Sequence, residues 1–446
     1  MAAHSTQKHL FSFIQNYSLE ESKIMEKQND MKITHKNKNL WIIIGIILIY
    51  GIGMTIVFPL LPFLLGKYLP ASQIVIGLSA LTSVYAVCQF LAAPAFGALS
   101  DRFGRKSILL ISLLGSVAGY IMFGIGGALW ILFLGRIIDG LTAGDISTLL
   151  AYIADSTEPH ERTKWYGYVG AAIGLGSMIG PAIGGLLGTV SITLPFFVTA
   201  GIIFISFLCA YFFLPESLTL EKRTKRFSVK HINPFAHFKD IFALKEARSL
   251  LVMGAFFYIG LSVYQFNMSI FMKDVFLWGP ALIGGLIALI GACDIVSRAF
   301  LLPQLLKKFN ERVIGIAGLC GLILGFVLIF ISAYITSTLL IIAAVISITI
   351  GEGLFDPSYN ARLSSSVDES KQGQLQGTNQ SLQSAYRVMV PLAAAAIYTY
   401  SHSAIFGIAA LLMAWALVMF IKLQIDHISD SPSIALHQAQ ADTYSG

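Results

Sequence analysis

Apolar residues run along this chain in blocks of about twenty, the length a helix needs to cross the hydrocarbon core of a bilayer. Twelve blocks qualify: Leu40–Leu65, Ile74–Leu99, Ile108–Gly127, Leu129–Ala154, Tyr166–Gly188 and Leu194–Leu214, then Ser249–Phe271, Ala281–Leu302, Val313–Ala333, Ser337–Phe355, Leu375–Tyr398 and Ser403–Ile421. Backbone polar groups in lipid must satisfy one another within a segment, so the blocks are read as helices. The expected fold class is an all-α membrane protein of twelve transmembrane helices.

Composition points the same way. Of the 446 residues 56% are hydrophobic and only 12% charged, with a mean hydropathy of +0.73. A soluble domain carries about twice that share of charge. The four cysteines, Cys88, Cys209, Cys293 and Cys320, lie in apolar segments without metal-ligand spacing and read as packing residues. No metal or cofactor is expected. The first apolar block is too long for the core of a signal peptide and lacks a small-residue cleavage site. Met25 and Met31 shortly precede it and either can be a start, so no function is placed on residues 1–30.

The net charge of +6 is explained by orientation and does not call for a nucleic-acid partner. With both ends cytoplasmic, the only basic residues in external loops are Lys67 and Lys273, and Arg136, Arg298 and Arg387 fall inside spans. The remaining basic residues lie on the cytoplasmic side, as the positive-inside rule requires. The chain divides into a cytoplasmic disordered tail 1–39, a six-helix bundle 40–214, a cytoplasmic linker 215–248, a second six-helix bundle 249–423 and a cytoplasmic tail 424–446. The Lys- and Arg-rich linker is either a solvated loop or a segment lying on anionic lipid. Six spans on each side of it suggest two pseudo-symmetric halves, a design that permits rocking about a midplane site.

Three short patterns carry more than hydropathy. Between spans two and three the chain reads Gly97-Ala98-Leu99-Ser100-Asp101-Arg102-Phe103-Gly104-Arg105-Lys106. Gly104 allows a tight turn. Asp101 is placed where an anion faces a helix N-terminus, and Arg105 is within plausible reach of Asp155 at the inner end of span four. The equivalent loop of the second half, Leu305 to Arg312, keeps the basic residues of this pattern. Span five carries Gly167, Gly176, Gly180, Pro181, Gly184 and Gly185, small residues that let helices approach closely. Span four holds Gly135-Arg136-Ile137-Ile138-Asp139-Gly140.

These patterns resemble the major facilitator superfamily. Gly97, Asp101, Arg102, Gly104, Arg105 and Lys106 match its gating-loop signature, and the span-five glycines resemble the antiporter motif of its drug–proton antiporters. The resemblance implies that the loop network, with Asp155, latches the two halves in the outward-open state. The arginine pattern of span four also fits, although the family often has Gln where Asp139 stands. The similarity extends over nearly all of residues 40–423. It is strongest to the tetracycline-efflux branch, through Tyr152-Ile153-Ala154-Asp155, the stretch Val367 to Gly377, Pro59 and Pro62. That branch carries aspartates in spans one, three and nine, where Tyr50, Gly119 and Leu322 stand here. Their metal–tetracycline and proton chemistry is not carried over, and tetracycline itself is disfavoured as substrate.

Seven charges lie deep in the spans: Arg136, Asp139, Asp145, Asp294, Arg298, Glu352 and Arg387. Each costs about 2.5–3.5 kcal/mol on the insertion scale unless it pairs or faces water. Helical spacing pairs Arg136 with Asp139 and Asp294 with Arg298, and Arg387 is set against Glu352. Asp145, nine residues after Arg136, is left over and falls on the opposite helix face. It is the first candidate for proton coupling, with Asp139 and Arg136 beside it; the alternative is a partner on a neighbouring span. Tyr50, Gln89, Tyr120, Gln265, Asn267, Gln380, Gln383 and Tyr386 are candidates to line a substrate cavity or to bridge helices.

The expected function is export of a small amphipathic organic compound, drug-like or a metabolite, in exchange for protons, from a monomer spanning the inner (plasma) membrane. The alternative is an importer or facilitator of a nutrient or siderophore on the same fold. No nucleotide-binding loop and no cluster of nucleophile, base or metal ligands at one depth is present, so an enzyme is not expected.

Overall fold

The computed structural model describes residues 39–143, 145–218, 220–223, 242, 244–367 and 372–429. The expected tail 1–39 (save Asn39), most of the linker and the end of the second tail lie outside them.

The described chain is helical. The N-terminal half comprises α1 (Asn39–Ile56), α2 (Ala71–Phe103), α3 (Arg105–Ile125), α4 (Leu129–Leu141), α5 (Asp145–Ser156), α6 (Pro159–Val190) and α7 (Leu194–Phe213). The C-terminal half comprises α8 (Lys245–Asp274), α9 (Pro280–Val296), α10 (Glu311–Ser332), α11 (Thr338–Ser365), α12 (Gln372–Tyr400) and α13 (Ala404–Ser429). Ten of these segments are long and apolar enough to cross a membrane by length and composition. Span four, divided between α4 and α5, and the polar α12 complete the twelve, six to each half.

Two features differ from the hydropathy reading. Span four is broken: α4 ends at Leu141, Thr142 adopts φ −102° and ψ 3°, and a new helix starts at Asp145. The argument that placed Asp145 opposite Arg136 assumes one continuous helix, and the break removes it. Span ten does not stop at Phe355. Pro357 is accommodated inside α11, which runs on to Ser365 and carries Asp356 with the other charges of the half.

Glycines set how closely the helices pack. In the first half α3 crosses α4 where a Cβ on Gly119 would lie 2.8 Å from the carbonyl oxygen of Gly135. In the second half α10 crosses α11 in the same way, with Gly318 facing the Gly351 carbonyl at 2.8 Å. Each crossing sits one residue before a membrane charge, Arg136 and Glu352. The faded repeat is thus visible as packing where the side chains have diverged.

The halves meet along two seams, α6 against α9 and α2 against α12. A Cβ on Gly185 would come within 2.6 Å of the Pro280 carbonyl oxygen and 3.0 Å of Gly284 Cα. Midway, Gly291 faces Met178 Cα at 2.8 Å, and further along Gly174 meets only the Ile295 side chain, at 3.5 Å. This seam is tightest at the end that carries Pro280. In the second seam Ser83 Oγ donates to the Val388 carbonyl at 2.7 Å. Gly176, Gly180 and Gly184 face α1 instead, with Gly176 at 2.8 Å from the backbone of Gly51. The buried Pro181 lies among them, whereas Gly167 looks onto open space.

Candidate functional site

The gating-loop residues converge at the joint between α2 and α3. Gly104 takes φ +101°, a conformation that L side chains rarely adopt, and this lets one helix end and the next begin without a linker. Arg105 turns back to Asp101 at 2.6 Å and across to Asp155 at 2.9 Å, and also donates to Ser100 Oγ at 3.2 Å. The anion expected at the helix N-terminus is a different one. Glu216, after α7, accepts from the backbone N–H of Arg105 at 2.8 Å and of Lys106 at 3.3 Å, while Asp101 is taken up by Arg105. Arg223 approaches the other side of Glu216 at 3.7 Å, and Lys106 Nζ donates to the Tyr211 carbonyl at 2.7 Å. These partners belong to the first bundle and to the start of the linker, and none comes from the second bundle. A Cβ on Gly97 would point into open space, and Arg102 lies over the neighbouring Phe103 ring.

In the core of the first half, Arg136 and Asp139 stand 3.5 Å apart and are almost fully buried. Ser116 Oγ donates to Asp139 at 2.7 Å. The guanidinium lies between the rings of Phe123 and Tyr85, 4.9 and 5.3 Å from their centroids. The pair is one base and one acid, neutral together and enclosed by aromatic faces. Asp145 opens α5, and its side chain lies outside the described residues.

The second half is arranged differently. After Val296 the helix α9 passes through a π-helical turn, Ser297–Leu301, that holds Arg298. π-Turns of this kind widen a helix locally and occur often at functional sites. Gly353 lets α11 press against Ser297, with a Cβ position 2.8 Å from the Ser297 Cβ. This brings Arg298 between three carboxylates. Its Nε donates to Asp294 at 2.7 Å, one terminal nitrogen to Asp356 at 3.1 Å, and the other lies 3.6 Å from Glu352. The expected pairing of Arg387 with Glu352 is not formed. Arg298 takes that place because it reaches across from the π-turn, whereas Arg387 is exposed and has no carboxylate partner among the described residues. Asp356, which the sequence reading left outside the spans, also accepts from Tyr258 Oη at 2.9 Å and Asn360 Nδ2 at 3.0 Å.

Beside this network is a cavity of about 320 Å³ between α8, α11 and α12. Gln265, Gln380, Gln383 and Arg387 line it, with Glu352 and Asp356 on the wall shared with the charge network. Asn360 and Asn379 add two more amides. The remaining cavity candidates lie elsewhere. Tyr50 and Tyr120 are buried in the first half, where the Tyr120 hydroxyl points to Met54 Sδ at 3.4 Å. Asn267 is buried and donates back to its own helix, to the Val263 carbonyl at 2.9 Å. Gln89 faces Tyr85 at 3.5 Å, and Tyr386 is half-buried on α12 outside the cavity lining. Among the described residues no group of three or more His, Cys, Asp and Glu side chains is placed to hold a metal.

Two pseudo-symmetric six-helix halves, with a polar cavity lined by helices of the second, define a secondary transporter. Residues 43–391 match the family model of the Major Facilitator Superfamily, and the chain belongs to that family of transporters, which are not enzymes. It is 35% identical over 379 residues to the class C tetracycline resistance protein of Escherichia coli, covering 84% of this chain and 93% of the relative. It is 30% identical over 368 residues to multidrug resistance protein 2 of Bacillus subtilis (strain 168), covering 81% and 89%. The crystal structure of the human organic anion transporter MFSD10 (TETRAN) superposes with a TM-score of 0.65 at 21% identity, over 86% of this chain and 99% of that one. The nucleoside transporter NupG superposes with a TM-score of 0.69 at 12% identity, over 85% and 99%.

Proposed function

We propose that this protein exports a small amphipathic organic compound from the cytoplasm in exchange for protons, the bundles 40–214 and 249–423 rocking against each other and exposing the cavity of the second bundle to alternate faces. The observation that carries the reading is the polar, amide-lined cavity beside a cluster of membrane carboxylates, on a chain whose relatives are tetracycline and multidrug resistance proteins. Amides supply both donors and acceptors, so the cavity suits a compound bearing several oxygens and nitrogens on an apolar frame. The proton is the natural co-substrate, since one charge moving down a potential of 100 mV releases about 2.3 kcal/mol.

The Lys and Arg distribution supports both termini lying on the cytoplasmic side of the plasma, or inner, membrane, and the working unit in this reading is a monomer. The Pro280 end of the α6–α9 seam is then external, and the seam is tightest on that side. The gating-loop contacts involve the first bundle and the start of the linker, and not the second bundle. Their role as an outward-open latch requires Asp101 to exchange Arg105 for a partner on the second half.

Tetracycline is not the substrate this chain is built for. The positions that carry aspartates in the tetracycline branch hold Tyr50, Gly119 and Leu322. Gly119 lies against the backbone of Gly135, Leu322 is fully buried, and none of the three borders the cavity. The test is transport in everted and right-side-out membrane vesicles with a panel containing ethidium and tetracycline. The reading expects energised, protonophore-sensitive accumulation of at least one amphipathic probe in everted vesicles. Accumulation in right-side-out vesicles alone identifies an importer.

A further inference from the structure

The charge networks of the two halves occupy equivalent places but have different balances. Arg136 and Asp139 neutralise each other and do not line the amide cavity. Around Arg298 there are three carboxylates, Asp294, Glu352 and Asp356, within 3.6 Å of one guanidinium. With all three ionised the group holds an excess of two negative charges in the membrane interior, an arrangement that favours taking up a proton. The structure also distinguishes the three acids. Asp294 receives the shortest contact from Arg298, at 2.7 Å. Asp356 accepts from Arg298, Tyr258 and Asn360, which is the coordination of an ionised carboxylate. Glu352 has only the long 3.6 Å approach of Arg298, and it borders the cavity.

Resting on the antiport reading above, we propose that Glu352 is the residue that carries the exchanged proton. It is protonated when the cavity holds no substrate and ionised when substrate occupies it. On substrate entry from the cytoplasm the O–H bond of the Glu352 carboxyl breaks and its proton passes to cavity water. The carboxylate then draws on the Arg298 guanidinium alone. After release to the exterior a proton from that side restores the O–H bond. The other charged or titratable groups near Glu352 are Asp356 on its own helix, Tyr264 from α8 and Asp294 and Arg298 from the α9 segment, and Arg387 from α12 lines the same cavity. Arg387 borders the same cavity without a carboxylate partner among the described residues, which places it to meet an acceptor group on the substrate.

The experiment uses the full chain purified and reconstituted in proteoliposomes, with ethidium and tetracycline as probes and the membrane potential clamped by potassium and valinomycin. Wild type moves a probe against its gradient when a pH gradient is imposed, and the detergent-solubilised protein releases protons when the probe is added. Glu352→Gln is expected to lose both, while keeping exchange of labelled for unlabelled probe at equal concentrations. Gradient-driven accumulation or proton release that persists in Glu352→Gln overturns the assignment. If that variant also loses exchange, Glu352→Asp decides: recovery of exchange together with pH-driven uptake supports the proposal, and failure to recover either refutes it. A wild type that carries a probe with no response to pH refutes the antiport reading itself, a result distinct from a coupled Glu352→Gln.

Discussion

A single methyl group at Gly185 should change which state the transporter occupies. The Cβ it adds would sit 2.6 Å from the Pro280 carbonyl oxygen, 3.0 Å from Gly284 Cα and 3.2 Å from Ala281 Cα. All three are backbone atoms on the facing half, so no side-chain rotation relieves the contact. Favourable heavy-atom separations are about 3.5–4.0 Å, and the two helices must part by roughly 0.5–1 Å. Overpacking of this kind costs about 1–3 kcal/mol. In the proposed rocking motion the Pro280 end of the seam parts in the outward-facing state, so the cost falls on the state with that end closed and spares the opposite one. A differential energy of that size moves the equilibrium by about 5- to 150-fold. Spin labels at Thr189 and Leu282, both exposed beside the seam, report its opening by pulsed EPR. Gly185→Ala is expected to shift the distance distribution toward the longer population. A distribution identical to that of the parent, in protein of equal thermal stability, refutes the argument that backbone contact at Gly185 seals the seam.

Three further outcomes follow from named contacts. Asp139→Ala leaves the Arg136 guanidinium buried without its carboxylate and is expected to cost about 3–5 kcal/mol, read as a large fall in melting temperature in detergent; an unchanged value contradicts the pairing. Glu216→Ala removes the side chain that accepts from the first N–H groups of α3 and should cost about 1 kcal/mol, a modest melting shift absent from a variant at the exposed Lys307. Gly119→Asp forces a carboxylate against the Gly135 carbonyl and Asp139, 2.8 and 3.0 Å from its Cβ. It is expected to abolish folded yield on size-exclusion chromatography, whereas well-folded protein would show that the α3–α4 crossing is not held by that glycine.

Hydropathy alone made the spans legible, because a bilayer imposes one length and one kind of secondary structure on every crossing. The failures were local. Thr142, Ala143 and Gly144 are small and apolar enough to pass for helix, so the break before Asp145 left no mark in the pattern. Span ten was read as ending at Phe355, yet α11 continues through Pro357 because proline costs a membrane helix only one backbone hydrogen bond that neighbours can replace. Spacing within one helix placed Arg136 beside Asp139 and Asp294 beside Arg298, since neighbours at three and four residues share a face whatever surrounds them. Contacts between helices were not accessible in that way. Glu216 caps a helix that starts 111 residues earlier, and Arg298 rather than Arg387 meets Glu352, because the rotation of each helix is set by partners that a single sequence does not identify.

Alternating access of the amide-lined cavity is the claim on which the function depends, and accessibility of Gln383 measures it most directly. With Cys88, Cys209, Cys293 and Cys320 replaced by serine, Gln383→Cys is treated with an impermeant maleimide, in intact cells and in everted vesicles. The protein is expected to react from both faces, with a transported probe slowing both reactions. Labelling from one face only, unaltered by any transported probe, would contradict a site that opens to each side of the membrane in turn.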